Sequence, residues 1–433
     1  MSTLKVNKLR DTAGSADAIT LDPNGGVVLA GVTTMTTARV TSGIVTNTFI
    51  VGAGVTISES GIEASGIGIT CASINGDQIG GRRNVIINGG MQIYQRGSTS
   101  FAHDGTTSAY TLDRFIFNIS NTDEYDCTVT QDSSVPDGQG FSKSYKVTTG
   151  TAESAVGADE RYEVQCKIEG QDLQHFVYGS SAAKTITLSF WVKCSVAGTY
   201  GFTIYRSETA GSRVINKPYT INSANTWEKK IITIAGDTVR SIDNNAGTTA
   251  STWRMVWALS GGSNWTSDTA STWTAYGTTY YLGGHVTNTF ATTASSTWYM
   301  TGVQLEVGPQ ATPFEHRSFG EELQLCKRYY QQINQESSGT SIITGFGNGT
   351  NRLRSVIPLM VEMRANPTVA LDVSGGNPSF YSYTASPPSY SSMSGVESTK
   401  KTITVDIDTS TLTAGVPYDW RGSSAFITIS AEL

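Results

Sequence analysis

A chain of 433 residues is long for a single core and implies two or three domains. Only 15% of its residues are charged, against roughly 25% in ordinary soluble domains. The net charge of −6 argues against a nucleic-acid partner, whose phosphates would need a basic face, and no apolar run approaches the roughly 18 residues of a membrane span.

Glycine (45 residues) and abundant Ser and Thr point to short strands and many turns. The 19 Tyr, 14 Phe and 8 Trp supply the large side chains of folded cores, which argues against disorder. No secretory h-region follows Met1, so synthesis and folding in a cytoplasm are expected.

Residues 15–82 are brief Val/Ile couplets separated by glycine: Gly26-Val-Val-Leu29, Gly43-Ile-Val-Thr46, Gly54-Val-Thr-Ile57, Gly61-Ile-Glu-Ala64 and Gly66-Ile-Gly-Ile69. Such couplets suit short stacked strands or a β-helical stem. Side chains this small cannot build a core in one copy, whereas three copies wound together can, so a homotrimeric stalk is expected. A disordered leader would have a similar composition.

From Asn84 onward, apolar and polar residues alternate. Arg161–Glu169 places Tyr162, Val164, Cys166 and Ile168 on one face, and Ile186, Leu188, Phe190, Val192 and Cys194 do the same in the next segment. Trp253, Met255, Trp257 and Leu259 share a face and are expected in the core. Period-two strands with one apolar face imply antiparallel sheets packed as a sandwich or jelly roll, placed at residues 83–316.

Ser318-Phe-Gly-Glu321 is a capping box, and Phe319, Leu323, Cys326 and Tyr330 follow at helical spacing, which predicts a helix ending near Asn334. Beyond it, strands are expected at 354–359, 367–373, 402–407 and 425–429, with Ser374–Glu397 as an exposed loop. Residues 317–433 are thus a small β domain with one helix.

Little of the sequence suggests catalysis. Five cysteines (Cys71, Cys127, Cys166, Cys194 and Cys326) form no CxxC pair, which disfavours a disulfide framework or a zinc site, and Cys166 and Cys194 fall on buried strand phases. His103, His175, His285 and His316 fit no metal motif, and His175 and His285 are expected at the surface or on strand edges. No nucleophile elbow, P-loop or dinucleotide fingerprint is present, and no cofactor or metal is expected. The carboxylates Asp104, Asp113, Asp123, Glu124 and Asp126 cluster near the first sandwich strands, the best material for a glycan-cleaving pair; Asp113 beside Arg114 suggests a local ion pair.

Binding has more support. Residues 261–284 form a Gly-bounded polar stretch that carries Trp265, Asp268, Trp273, Tyr276, Tyr280 and Tyr281. Trp191 falls on the polar phase of its strand, with Thr187, Ser189 and Lys193. Outward aromatics suit either a sugar platform or an interface between copies, and Trp191, Trp265, Asp268, Trp273 and Tyr276 are the candidate ligand residues. The echo Thr249-Ala-Ser-Thr-Trp253, Thr269-Ala-Ser-Thr-Trp273 and Thr293-Ala-Ser-Ser-Thr-Trp298 suits equivalent turns before strands.

Three segments resemble bacteriophage tail-fibre proteins of the marine and cyanobacterial phage type. Residues 1–11 with Asp22-Pro-Asn-Gly-Gly-Val27 look like the virion-proximal end. Asn84–Gly97 with Tyr110-Thr-Leu-Asp-Arg-Phe115 is similar to the opening of their sandwich. The most specific match is Val303–Gly308 with Thr312–Leu323 and Cys326-Lys-Arg-Tyr-Tyr330. The sandwich also resembles jelly-roll carbohydrate-binding modules in Thr185–Lys193, Thr226–Lys230 and Trp298–Glu306. Those modules usually carry an acidic residue in the last strand where this chain has Met300 and Thr301, a departure that bears on any structural calcium.

The resemblance implies a virion fibre that attaches to host surface polysaccharide. Residues 1–32 would form the attachment segment to other virion proteins and 33–82 the trimeric stalk, assembled in the host cytoplasm. A structural head or collar fibre and a glycan depolymerase are the alternatives.

Overall fold

A computed structural model describes residues 82–97, 99–101, 105–244, 252–333, 343–372, 379–382, 388–421 and 426–433, together with six short strands between residues 8 and 64. Two compact units divide the chain, Met1–Ala72 and Ser73–Leu433.

The first unit holds two antiparallel three-stranded sheets. Lys8–Arg10, Asp17–Leu21 and Val27–Leu29 form one, and Thr48–Ile50, Val55–Ser58 and Gly61–Ala64 the other. Three of the glycine-led couplets thus start strands. The couplets at Gly43 and Gly66 lie outside the described residues.

The second unit is built on a two-sheet sandwich. One sheet runs in the order Glu228–Ile234, Ile186–Cys194, Thr297–Val307, Ser144–Thr149, Cys127–Asp132, Thr99–Phe101. The facing sheet runs Thr274–Ala275, Arg213–Asn216, Phe202–Arg206, Thr252–Gly261, Arg161–Glu169, Phe115–Thr122, Gly105–Tyr110. Neighbours are antiparallel throughout, as one-sided alternation predicts. The core between the sheets holds Ile186, Leu188, Phe190, Val192 and Cys194 from one side and Tyr162, Val164, Trp253, Met255, Trp257 and Leu259 from the other. Phe190, Phe202 and Phe115 surround the Trp257 ring at centroid distances of 6.0, 5.2 and 6.5 Å. Cys127, Cys166, Cys194 and Cys326 are buried free thiols.

Four expectations need correction. The second face of Arg161–Glu169, polar in sequence, is also buried: Glu163, Gln165 and Glu169 are inaccessible. The reason is a cover from elsewhere in the chain. Tyr281 meets Gln165, while Arg328 and Tyr329, just past the helix, bind the Glu169 carboxylate. The helix itself spans Phe319–Lys327 and not up to Asn334, because Tyr330–Ile333 pairs as a strand with Phe426–Ser430. Ser318 caps it as expected, accepting from the Glu321 amide at 3.3 Å, but Glu321 turns to Arg82 instead of back to the cap. Its covered face is Glu322 and Cys326, and Phe319 is exposed. Tyr390–Ser398, expected within a loop, is a strand beside Thr402–Thr409.

His285 is the fourth. It is buried rather than exposed, with Nδ1 accepting from the Gly201 amide at 3.2 Å and its ring 5.7 Å from Tyr200. Burial lowers its pKa to about 4. The folded value is therefore depressed, so the stability it contributes is complete above the unfolded value near 6.5 and is lost as pH falls towards 4. Acidification across that window is expected to cost about 3 kcal/mol through this group. Urea unfolding of wild type and His285→Gln at pH 7 and pH 4 checks it, the variant lacking that part of the slope.

The carboxyl-terminal strands make a second core. Ser379–Tyr381, Pro417–Arg421, Ile343–Gly347, Arg352–Pro358, Thr402–Thr409 and Tyr390–Ser398 form a six-stranded sheet. Tyr330–Ile333, Phe426–Ser430 and Thr368–Asp372 form a three-stranded one. Leu353, Met363, Ile403, Trp420, Ile427 and Ile429 are buried among them. This core is tied to the sandwich: Arg114 pairs with Glu432 and stacks on Tyr329 at 3.4 Å, and Lys167 donates to the Leu433 carbonyl at 2.5 Å.

Candidate functional site

The outer face of the sheet containing Ile186–Cys194 presents the residues that alternate with the core set. Trp191 stands opposite Lys229 on one neighbour and Thr301 on the other. Two residues on, Lys193 stands opposite Tyr299, whose other neighbour is Lys146. Tyr299 is thus flanked by two ammonium groups, with Lys193 Nζ 4.1 Å and Lys146 Nζ 5.4 Å from its ring centroid. The Trp227 ring meets Tyr299 edge-on at 6.1 Å and lies 5.4 Å from Lys193 Nζ. Its indole N–H has no acceptor. Trp191, Lys193, Trp227, Tyr299 and Lys146 are all half-buried, and Ile231, opposite Ser189, is 55% exposed.

Local sequence sets this geometry. Between Ser189 and Trp191 the register with Thr297–Val307 shifts, so that Gly302 and Val303 together face Phe190. Gly302 has φ of +65°, and a Cβ there would lie 2.6 Å from the Phe141 ring, so the bulge requires glycine. The bulge keeps Met300 and Val303 inward while leaving Tyr299 outward.

The charges interact. Asp132 accepts from Lys146 at 3.0 Å, which raises the lysine's pKa; Lys193, desolvated and near Lys146, has its pKa lowered and donates to Ser134 at 2.6 Å. Lys146, Lys193 and Lys229 against Asp132 leave a balance of three minus one, or +2, on a chain of net charge −6.

The other sequence-predicted ligand residues do not join Trp191. The 261–284 stretch is not a free loop: it contains the helix Ser263–Thr266 and a strand, Thr274–Ala275, paired with Arg213–Asn216. It lies over the opposite sheet. There Trp265 packs under Arg161 at 4.3 Å and donates to the Asp159 carbonyl at 2.9 Å. Tyr276 meets Tyr205 at 4.6 Å, and both tyrosines, with Trp265, cover Val256, Ala258, Tyr281 and Leu282. Trp273, half-buried, packs against the main core beside Trp253 and Tyr178, each at 5.8 Å, and donates to the Ala235 carbonyl at 2.8 Å. Asp268 is exposed, its amide donating to the Thr279 carbonyl at 3.3 Å. Sequence reasoning missed Tyr299, Trp227, Lys193 and Lys146 as members of the outward face that carries Trp191. At strict period two from Val303 and Leu305, Tyr299 falls on the core phase, and the bulge at Gly302 is what turns it outward.

The carboxylates considered for glycan cleavage disperse as well. Asp104 lies outside the described residues. Asp113 accepts from the Gln95 amide and side chain at 2.8 and 2.6 Å, not from Arg114, which turns to Glu432. Asp126 holds Thr151 and Glu124 holds the Ser154 amide, both as loop fasteners. Asp123 lies with Glu153 and Glu160, their ligand oxygens within 4.8 Å of one another. Burial, reinforced by Glu160, raises the pKa of Glu153. Glu153 and Glu160 are 3% and 6% exposed, too enclosed to flank a sugar ring.

No protein-family model matches the sequence, and no curated protein does. Among solved structures, the enzymatically active domain of tailspike protein 4 from bacteriophage CBA120 is 12% identical with a TM-score of 0.27, over 52% of this chain and 21% of that one. A CBM4 structure gives 12% and 0.24, over 51% of this chain and 97% of that one. The CBM22-1–CBM22-2 tandem domain of Paenibacillus barcinonensis Xyn10C gives 10% and 0.26, over 84% and 100%. These scores are low, and the sandwich assignment rests on the strand order above.

Proposed function

We propose that this chain is a homotrimeric bacteriophage virion fibre that attaches to the host cell by binding surface glycans, without cleaving them. The observation that carries the glycan reading is the outward cluster of Tyr299 and Trp227 with Lys193 and Lys146, on the sheet face that also carries Trp191. Rings take the C–H faces of sugars, and the ammonium groups meet hydroxyls. The virion role is supported by the segments at residues 1–11, 84–97 and 303–330, with residues 1–32 joining other virion proteins. The thin apolar couplets support the trimer. Three weak sites per fibre then act together through avidity.

Purified full-length fibre, fluorescently labelled, is expected to adsorb to host cells and to compete with phage. Failure of both would overturn the attachment role and leave a structural head or collar fibre, which antibody labelling of virions locates. Release of reducing ends from host polysaccharide would overturn the non-catalytic reading. Ile231 beside Trp191 favours a second use of this face, contact between copies; sedimentation of a Trp191→Ala variant separates the two.

A further inference from the structure

Asp123, at the end of the Phe115–Thr122 strand, approaches Glu153 and Glu160 from the loop that leads into Arg161–Glu169. Asp123 is exposed, while Glu153 and Glu160 are almost wholly buried. Among the described residues no lysine or arginine pairs with any of the three.

Counting protons sharpens the difficulty. Glu153 Oε1 accepts from the Tyr125 amide at 3.1 Å and lies 2.7 Å from the Tyr162 hydroxyl. The same hydroxyl lies 2.8 Å from Glu160 Oε2. One O–H carries one proton and can satisfy only one of these carboxylates. Glu153 Oε2, also buried, has no donor at all. Two enclosed carboxylates beside a third, with an orphaned oxygen among them, are costly unless a proton or a cation joins them.

We propose that Asp123, Glu153 and Glu160 bind a divalent cation of the calcium type. Oxygen-only ligands with flexible spacing suit calcium rather than zinc, which favours nitrogen and sulfur. The ligand oxygens of Asp123, Glu153 and Glu160 lie within 4.8 Å of one another, close enough for one ion to reach all three at calcium–oxygen distances of about 2.4 Å. Water completes the shell on the exposed Asp123 side. The ion fastens the loop carrying Glu153 and Glu160 to the sheet, next to Gly262, whose amide donates to the Glu160 carbonyl at 2.8 Å.

The test uses the full chain, stripped with chelator and titrated with calcium chloride. Calorimetry is expected to show one ion per chain, and Tm to rise by roughly 5 °C at calcium a hundredfold above Kd. Terbium at the site is expected to luminesce on tyrosine excitation, since the Tyr162 hydroxyl touches two of the ligands. Asp123→Asn alters an exposed side chain, so it is expected to fold with unchanged Tm in chelator and to lose at least tenfold in affinity. Glu153→Gln is expected to raise Tm in chelator and to abolish the calcium response. Absence of calcium heat and of any Tm change in wild type would overturn the proposal, as would a terbium signal that Asp123→Asn leaves unchanged. If Glu153→Gln does not fold, Asp123→Asn alone decides.

Discussion

Replacing Arg206 with alanine is expected to lower stability by about 3–5 kcal/mol, the cost of stranding buried partners of a lost charge. The guanidinium is wholly enclosed. It binds Glu208 at 3.0 Å and Asp237 at 2.7 Å, and donates to the carbonyls of Arg240 and Ser241 at 3.1 and 3.0 Å. Around it, the rings of Tyr178, Trp253 and Trp273 stand 5.2–5.3 Å away. Alanine would leave the Glu208 carboxylate, 1% exposed, without its cation, while Asp237 would retain Arg213 at 3.1 Å. It would also open a cavity between three aromatic rings. Arg206→Lys keeps the charge but cannot reach two carboxylates and two carbonyls together, so an intermediate loss is expected. Urea unfolding of the three proteins at pH 7 measures this, and a loss below about 1 kcal/mol in Arg206→Ala would contradict the account. Trp273→Ala belongs to the same unit. It is expected to cost about 2–3 kcal/mol of stability and to leave adsorption to host cells unchanged.

Trp273 shows why this part of the molecule was hard to read. Its neighbours in sequence are Ser, Thr and Ala, which suggested an exposed aromatic. Those small residues instead build the turn that returns the indole to the core beside Trp253. Strand phase was legible wherever a strand is regular: Ile186–Cys194 turned its five apolar residues inward and Trp191 outward. What comes to lie on a strand's second face was not legible. Glu163 and Glu169 look solvated because period two describes one strand alone, whereas their cover comes from Tyr281 and from Arg328 and Tyr329, more than a hundred residues away. Tyr299 was missed for the converse reason: flanked by Trp298 and Met300, it sits in an almost unbroken apolar run whose phase is clear only once the bulge at Gly302 is placed.

Tyr299→Ala is expected to weaken each glycan site by about 10- to 100-fold, equivalent to roughly 1.4–2.8 kcal/mol, as for an aromatic anchor at the centre of a contact. The ring is held by Lys193 and Lys146 on its two sides and by Trp227 at its edge, so its removal takes away the surface both ammonium groups rest on, while Asp132 and Ser134 still hold them. Trp191→Ala, two positions along the neighbouring strand, is expected to act in the same direction but less strongly, because it is not held in the lysine cluster. In the proposed trimer the per-site losses compound, and adsorption of fluorescent Trp191→Ala/Tyr299→Ala fibre to host cells should fall by two orders of magnitude or more, on the order expected for avidity. Lys193→Ala is expected to lessen the salt dependence of adsorption, since part of the attraction of this half-buried ammonium is screened by salt. Trp265→Ala serves as the control: its ring is engaged by Arg161 and Asp159 on the opposite sheet, and adsorption should not change. Calorimetry with host polysaccharide separates site affinity from avidity. A double variant that adsorbs like wild type yet sediments as a smaller species would assign the outward rings to contact between copies instead of to sugar.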